Sequence, residues 1–197
     1  MSELSLQTLS GAAIRPYLPE VARLRIAVFR EWPYLYDGDL DYEARYLEVY
    51  ARSGSAVLVL VRDGERVVGA STGIPLAEES EPFRKPFIKA GIPPETVFYC
   101  GESVLDPAYR GRGLYRQFFA HREAHARALG GFRWCAFAAV ERDPDDPRRP
   151  TGYRTLDTAW EKAGYRKAPG LRMQLGWKEL GQDGERLNTL VFWLRAL

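Results

Sequence analysis

A basic turn that contains two glycines carries the clearest chemical signal in the sequence. Residues 104–116 read VLDPAYRGRGLYR, so a predicted strand leads through this turn directly into a predicted helix. A helix N-terminus presents unpaired backbone N–H groups and a partial positive charge, which together attract phosphate. Gly111 and Gly113 lack a Cβ, so the backbone there can approach a bulky anion and can adopt positive φ. Positive charge comes from three arginines of the same turn: Arg110, Arg112 and Arg116. The turn predicts a site for a ligand that carries a pyrophosphate.

Two other phosphate-binding patterns do not fit this turn. The dinucleotide pattern G-x-G-x-x-G fails because Arg116 stands where its third glycine belongs, and no phosphate loop ending in Gly-Lys-Ser/Thr occurs. A Gly-Arg-Gly turn can also serve only to join a strand to a helix. The turn alone therefore leaves a purely structural interpretation open.

Other reactive side chains give weaker signals. His121 and His125 share a predicted helix face, but Arg122 stands where the metalloprotease pattern requires Glu and the chain has only two histidines, so we predict no metal site. No Gly-x-Ser-x-Gly elbow supports serine hydrolase chemistry. Cys100 and Cys135 lie in apolar runs, which favours buried thiols over redox or nucleophilic cysteines.

The composition indicates one globular domain, which we expect to span residues 1–197. With 197 residues, of which 46% are hydrophobic, the chain can bury a substantial core. Its 28 basic and 26 acidic residues leave a net charge of +2, which gives no case for nucleic acid or an anionic membrane as the main partner. The sequence has no long apolar run, and its first 11 residues lack the features of a signal peptide, so we expect a cytoplasmic protein.

Strands and helices alternate along the chain and must position the turn. Extended apolar runs predict strands at residues 4–9, 56–61, 66–74, 97–105, 132–140, 171–177 and 188–195. Helical spacing predicts helices at residues 14–30, 42–52, 114–129 and 155–163, with a short helix or insertion within 77–96. Asp63-Gly64 between two extended runs indicates a hairpin. This order favours a sheet covered by helices on both faces.

Two stretches of the chain resemble motifs of the GNAT superfamily of N-acetyltransferases. Arg110 and Gly113 match its pyrophosphate motif Arg/Gln-x-x-Gly-x-Gly/Ala, whereas Tyr115 departs from the small residue of the last position. Residues 107–111 match the common lead-in Pro-x-Tyr-Arg-Gly, and residues 159–165, AWEKAGY, resemble the signature Tyr-Glu-Lys-x-Gly-Phe/Tyr. The resemblance implies a single GNAT domain with a mixed, mostly antiparallel central sheet of about six or seven strands and helices on both faces.

The resemblance also implies the cofactor and where it binds. Acetyl-CoA would be the co-substrate, without a metal, and its pantetheine arm would lie where the fourth and fifth strands splay apart. Val104 and Leu105 would pair with pantetheine through their backbones. The pyrophosphate would be held at the motif that begins with Arg110, by the N–H groups of Gly111, Arg112, Gly113, Leu114, Tyr115 and Arg116. In this family the amine attacks the thioester directly, so neither cysteine is required.

The chemistry calls for a base and, in many family members, an acid. Glu102, on the predicted fourth strand, is the candidate base because an amine must be neutral to attack, and Ser103 could order a water beside it. A surface or ion-paired glutamate is the alternative, since strand alternation could turn Glu102 away from the cleft. Trp160 occupies the position of the tyrosine that often acts as the general acid in this family. Indole cannot supply the proton that the departing thiolate needs. Tyr153, Tyr165 or solvent could protonate the thiolate, or it could leave unassisted.

The loop between the first two predicted helices is where this family commonly shapes its acceptor pocket. Here the loop carries acidic and aromatic side chains that could hold a cationic amine by charge and cation–π contact. The candidate substrate-binding residues are Glu31, Tyr34, Tyr36 and Asp37, accompanied by Trp32 and Asp39. A solvated turn whose aromatic residues anchor it to the core is the alternative.

The sequence therefore predicts transfer of an acetyl group from acetyl-CoA to a primary amine, with a small molecule as the expected acceptor. Two alternatives stay open. One is a domain of the same fold that binds acyl-CoA or a protein without catalysis, and the other is transfer to a protein N-terminus or lysine. A homodimer is also left open.

Overall fold

The computed structural model describes residues 4–197, so the first three residues of the predicted domain, and of the stretch inspected for a signal peptide, lie outside the described residues. In the described part, seven strands are β1 (Leu4–Ser10), β2 (Val57–Asp63), β3 (Arg66–Pro75), β4 (Val97–Leu105), β5 (Trp134–Val140), β6 (Arg166–Lys178) and β7 (Glu185–Ala196). Five α-helices are α1 (Leu18–Phe29), α2 (Leu40–Arg52), α3 (Glu81–Lys89), α4 (Leu114–Leu129) and α5 (Asp157–Lys162). Short 3₁₀ helices occupy Gly11–Tyr17, Leu76–Glu78, Pro94–Thr96 and Pro107–Tyr109.

The strands form one seven-stranded mixed sheet, which confirms the predicted fold class. Their order across the sheet is β1-β2-β3-β4-β5-β7-β6. Every neighbouring pair is antiparallel except β4 and β5, which run parallel. A parallel pair needs a crossover connection, and α4 supplies it between these two strands.

The ladder between β4 and β5 is short and leaves a gap in the sheet. It pairs Val97–Tyr99 with Trp134–Ala136 and ends there. β4 continues to Leu105 and β5 to Val140, so the two strands diverge beyond Tyr99. The backbone edge of β4 that faces β5 therefore has no ladder partner on that strand over its last six residues.

A β-bulge lies in β4 next to this gap. Ser71 of β3 pairs with Ser103, but Gly73 pairs with Cys100, so two β4 residues, Gly101 and Glu102, lie opposite one β3 residue. Bulges re-aim side chains and are common beside active sites. Position 101 must be glycine, because a Cβ there would overlap the Tyr50 hydroxyl and the side-chain oxygen of Thr72.

Helices cover both faces of the sheet and bury two apolar clusters. The face with α1, α2 and α3 buries a core that includes Leu47, Phe87 and Phe192. The face with α4 and α5 buries a second core, which includes Phe118 and Trp193. Among residues 4–197, no helix is both long and apolar enough to cross a membrane.

The predicted elements differ from the observed ones where proline intervenes. The predicted helix over residues 14–30 divides into a 3₁₀ turn that contains Pro16 and then α1, whose first turn holds Pro19. The strand that was predicted to begin at residue 171 begins earlier, at Arg166. The sequence pattern did not indicate this earlier part because β6 bulges between Ala168 and Arg172. Pro169 lies in this bulge, because proline cannot donate a hydrogen bond to a neighbouring strand.

Candidate active site

The turn before α4 has the backbone geometry that an anion site requires. Gly111 and Gly113 both have φ near +77°, a left-handed conformation that side chains rarely adopt. Gly113 is the N-cap of α4, and no side chain among the described residues caps that end. Buried Leu114 and Phe118 fix the first turn of α4 against the sheet. The turn is therefore anchored by packed residues of α4, and its two glycines face open space where a Cβ would meet no atom within 4 Å.

The arginines of the turn are exposed, and one of them contacts the predicted acceptor loop. Arg110 Nη1 lies 2.9 Å from a carboxylate oxygen of Glu31, and both side chains are about half exposed. Arg112 packs over the ring of Tyr109 and donates to the carbonyl oxygen of Ala108. Arg116 is also exposed on the first turn of α4. These side chains keep positive charge at the turn without burying it.

A cleft of about 450 Å³ passes through the gap between β4 and β5. Residues of both apolar clusters line it, including Phe83 and Tyr99 on the α1 face and Phe119 and Phe137 on the α4 face. The cleft therefore crosses the sheet. The side chains of Val104 and Leu105 are buried away from it, and the turn from Arg110 to Leu114 contributes no lining residue.

The structure places Glu102 in this cleft, where it forms an ion pair. Its side chain is buried, and Oε2 accepts from Arg25 Nη1 at 2.5 Å. Within the described chain, Oε1 has no hydrogen-bond partner. Burial raises the pKa of this carboxyl, although the guanidinium of Arg25 opposes the shift. Glu102 is therefore both ion-paired and turned toward the cleft.

Arg25 bridges Glu102 to a second buried glutamate. Its Nε donates to Glu43 Oε2 at 2.5 Å, and its guanidinium lies between the rings of Phe29 and Tyr46. Glu43 is completely buried in α2. The paired carboxylates hold the pKa of Arg25 well above its ordinary value despite the burial. All three charged residues line the cleft.

Ser103 lies next to Glu102, the candidate base, and contacts a neighbouring serine. Its Oγ is 3.0 Å from Ser71 Oγ, and Ser71 also donates to the main-chain oxygen of Glu102. Ser103 lines the cleft although it is adjacent to Glu102 in sequence. Both residues reach the cleft because it passes through the sheet at the bulge.

Three tyrosines bear on the question of the acid. Tyr165 is completely buried, donates to Glu123 and does not line the cleft. Tyr153 lines the cleft and packs edge-on against Trp32. Tyr115 also lines it, and its hydroxyl accepts a hydrogen bond from Trp160 Nε1 at 2.9 Å. The two positions that depart from the family motifs therefore contact each other.

The predicted acceptor residues divide into two groups. Tyr34 and Tyr36 line the cleft. Glu31 and Asp37 do not, because Glu31 pairs with Arg110 and Asp37 pairs with Lys178 at the surface. Asp39 instead caps α2 by accepting from the backbone N–H of Tyr42. The buried acidic groups that line the cleft, which we call its floor, are Glu43 of α2 and Glu102 of β4.

An arginine with a mostly buried side chain fastens a loop over the cleft. This loop, residues 31–39, is the one predicted to bind the acceptor, and we call it the acceptor loop. Arg142 follows β5 and donates to the main-chain oxygens of Pro33 and Tyr34. The same guanidinium donates to Glu179, a nearly inaccessible residue after β6. Tyr36 forms a β-bridge with Glu179. The loop is therefore held by both neighbouring chain segments and roofs the cleft.

The two histidines make hydrogen bonds within the fold, and the two cysteines are buried. His121 contacts the hydroxyl of Thr8, and His125 contacts the main-chain oxygen of Ser55, so both join α4 to the sheet side. Cys100 and Cys135 are buried free thiols on β4 and β5. Among residues 4–197, no group of three or more metal-ligating side chains could hold a metal ion.

Sequence reasoning missed Arg25 and Glu43. Both lie on predicted helices and look like ordinary surface charges in the sequence. The available signal was the pattern of α2, where Glu43 precedes buried Leu47 by four residues and Leu47 precedes buried Tyr50 by three, so all three share one helix face. A charged residue on an apolar face implies a buried partner.

Comparison with known proteins agrees with this geometry. Residues 22–150 match the model of the acetyltransferase (GNAT) family. The chain belongs to the GNAT acetyltransferase family, and it is therefore an acetyltransferase of a family that uses acetyl-CoA. No curated protein sequence matches the chain significantly.

Solved structures of low sequence identity share the fold. An acetyltransferase from Thermus thermophilus is 18% identical, with all of both chains covered and a TM-score of 0.56. A ribosomal-protein-alanine N-acetyltransferase from Brucella melitensis is 15% identical, with 98% of this chain and 99% of that one covered and a TM-score of 0.61. The putative acetyltransferase yncA from Salmonella typhimurium, solved with acetyl-CoA, is 12% identical, with 98% and 94% covered and a TM-score of 0.56.

Proposed function

We propose that this acetyltransferase acts on a primary amine of a small molecule, which attacks the thioester of acetyl-CoA directly. One observation carries the proposal. The cleft at the gap between β4 and β5 brings a buried glutamate to the position where a thioester threaded through the gap would meet an acceptor.

The cofactor would enter from the turn before α4. The amides from Gly111 to Arg116 would hold its pyrophosphate, with exposed positive charge from Arg110 and Arg112. The pantetheine arm would run along the β4 edge that β5 leaves unpaired, at Val104 and Leu105. This placement directs the thioester into the cleft.

Glu102 would act as the base. Its burial raises the pKa of the carboxyl above the usual range, which improves its match to an amine near neutral pH. The proton of the amine passes to Glu102, directly or through a water on Ser103. The nitrogen bonds to the carbonyl carbon, and the C–S bond then breaks to release the thiolate. The nitrogen loses its second proton through water, and this proton replaces the one that the thiolate takes up.

The thiolate would take its proton from a hydroxyl in the cleft, for which we assign Tyr153. A phenol is protonated at neutral pH, and burial raises the pKa of Tyr153 further. Its contact with Trp32 places it on the side of the acceptor loop. Tyr115 is another cleft tyrosine, whose hydroxyl contacts Trp160, and it gives the matched comparison.

The roof over the cleft favours a small acceptor. Arg142 fastens the loop from Glu31 to Asp39 at two main-chain oxygens, so a protein segment would have to displace that loop in order to enter. Transfer to a protein N-terminus or lysine is therefore the second candidate. The third is a domain that binds acyl-CoA without catalysis.

Release of coenzyme A in the presence of single amines tests the proposal. Acetyl-CoA should first raise the melting temperature of the protein, and small primary amines should then give time-dependent free thiol and an acetylated product detectable by mass spectrometry. Peptides with a free N-terminus or lysine serve as the comparison. Stabilisation by acetyl-CoA without transfer to any amine would favour the non-catalytic alternative, and transfer to peptides alone would favour the protein acceptor.

A further inference from the structure

Two oxygens at the floor of the cleft lack partners. Glu43 Oε1 and Glu102 Oε1 are both buried and accept no hydrogen bond of normal geometry from a described residue, although the hydroxyls of Tyr36 and Thr72 lie close to these two carboxylates. Each carboxylate uses its other oxygen for Arg25. A buried carboxylate oxygen without a donor is costly, so its presence in two neighbouring residues indicates a place for a missing donor.

The charges at this floor do not balance. Arg25 supplies one positive charge, whereas Glu43 and Glu102 supply two negative charges when both are ionised. Arg122 also lines the cleft, but it belongs to the α4 face and donates to the main-chain oxygen of Glu102. One further cation at the two free carboxylate oxygens would neutralise the floor.

The surrounding walls are aromatic. Tyr36, Tyr42 and Tyr46 stand over the floor in a continuous series of ring contacts, and Phe29 and Tyr34 pack against each other beside them. Aromatic faces attract a cation and also contact an apolar body. The walls therefore suit an ammonium group carried on an aromatic or apolar skeleton.

We propose that Glu43 and Glu102 together form the ammonium-binding site of the acceptor, and that the acceptor is a primary amine on an aromatic or apolar body without a carboxylate beside the amine. This inference rests on the proposed function and names its substrate class. Glu43 binds the ammonium, and Glu102 then removes its proton. Arg25 is already paired with both glutamates, so the carboxylate of an α-amino acid bound here would lie beside Glu43 and Glu102 and would be repelled by them, although other cations line the cleft farther out.

Calorimetric titration with two matched probes tests the site without requiring turnover. Phenethylamine and phenylalanine differ only by the α-carboxylate, and each is titrated into the protein in the presence of coenzyme A. We expect phenethylamine to bind at least tenfold more tightly than phenylalanine. Equal affinities, or tighter binding of phenylalanine, would overturn the proposal and need no variant for their interpretation.

Two variants on α2 assign the binding to Glu43. Glu43→Gln should weaken phenethylamine binding at least tenfold and leave the affinity for coenzyme A unchanged. Glu48→Gln is the control, because it makes the same chemical change on the same helix. Glu48 pairs with Arg15 and does not line the cleft, so phenethylamine binding should not change in this variant. Circular dichroism and melting temperature identify any variant that fails to fold. Unchanged binding in folded Glu43→Gln would overturn the proposal.

The outcomes separate this inference from the proposed function. If phenethylamine binds selectively but acetyl-CoA does not bind, the ammonium site stands and the proposed cofactor site fails. If acetyl-CoA binds and other acceptors are acetylated while phenethylamine does not bind, the transferase proposal stands and the ammonium site fails.

Discussion

At the scale of single residues, two opposite effects set the pKa of Glu102, the proposed base. Desolvation favours the protonated carboxyl, while Arg25 favours the carboxylate, and the net result is a raised pKa. Glu79 is a useful contrast, because burial raises its pKa to about 7, yet it does not line the cleft and its contact is with Tyr50. Position relative to the cleft, and not the pKa alone, is the reason that Glu102 is the proposed base.

Glu102→Gln should lower kcat by about 10²–10³-fold, since the amide cannot accept the proton. Acetyl-CoA affinity should stay within about twofold of wild type because the carboxylate does not contact the proposed phosphate site. In the wild type, kcat/KM should rise with pH as Glu102 loses its proton, and this acid limb should disappear in the variant. Steady-state kinetics between about pH 5 and 9, a range above the ordinary pKa of Glu and below that of an alkylamine, provide the measurement.

Exposed Glu95, which precedes β4, gives the control variant Glu95→Gln, whose kinetics should match the wild type. Equal turnover of Glu102→Gln and wild type at every pH would dismiss Glu102 as the base.

Tyr153→Phe should lower kcat by about a hundredfold, at the low end of general acid catalysis, since a thiolate is already a good leaving group. Its effect on KM for acetyl-CoA should be small. Tyr115→Phe removes a second cleft hydroxyl, which accepts the hydrogen bond of the Trp160 indole. Stopped-flow measurement of thiol release compares the two variants, and a loss confined to Tyr115→Phe would transfer the acid role to Tyr115.

At the scale of elements, the bulge in β4 connects backbone geometry to chemistry. It places Gly101 against Tyr50 and Thr72 and lets consecutive residues reach the cleft. The sequence predicted both ends of β4 and α4 because apolar periodicity and Gly130 mark them locally. It could not predict the bulge, since register depends on the partner strand, nor the Arg25–Glu43 contact, which depends on the packing of α1 against α2.

Gly101→Ala should destabilise the fold by about 1–3 kcal/mol, because the added methyl group overlaps buried oxygens of Tyr50 and Thr72. The displaced bulge should also move Glu102 and lower kcat. Gly170→Ala in β6 is the matched control, since a Cβ there meets no atom within 4 Å, and its stability should change by less than about 0.5 kcal/mol. Urea unfolding measures both, and equal stability of the two variants would show that position 101 tolerates a side chain.

At the scale of the whole molecule, one sheet serves two cores, and the cleft passes between them. The sequence and its family resemblance predicted the layers and a sheet of about six or seven strands, of which the structure has seven, because the order of the elements restricts the topology. The roof over the cleft could not be predicted, since Arg142 and Pro33 are 109 residues apart in the chain. Glu31 and Asp37 were predicted to bind the acceptor because they are acidic. They pair instead with Arg110 and Lys178 at the surface, and these tertiary contacts could not be predicted from the sequence either.

A shared sheet means that residues 1–197 should unfold as one domain. The five tryptophans lie in the acceptor loop, in three strands and in α5, so their fluorescence reports on most of the molecule. Unfolding curves from fluorescence and from far-ultraviolet circular dichroism should coincide, with a single midpoint. Two separated midpoints would contradict the single-domain proposal.

Acetyl-CoA binding to two variants of Gly113 tests the central claim most directly, which is that the amides before α4 bind the pyrophosphate. Asn and Asp have nearly the same shape, and both tolerate the left-handed conformation better than other side chains. Gly113→Asn and Gly113→Asp therefore differ mainly in negative charge beside the phosphates. In calorimetric titration we predict that Gly113→Asp binds acetyl-CoA at least tenfold more weakly than Gly113→Asn, with both proteins folded. Equal affinities for the two variants would contradict the account.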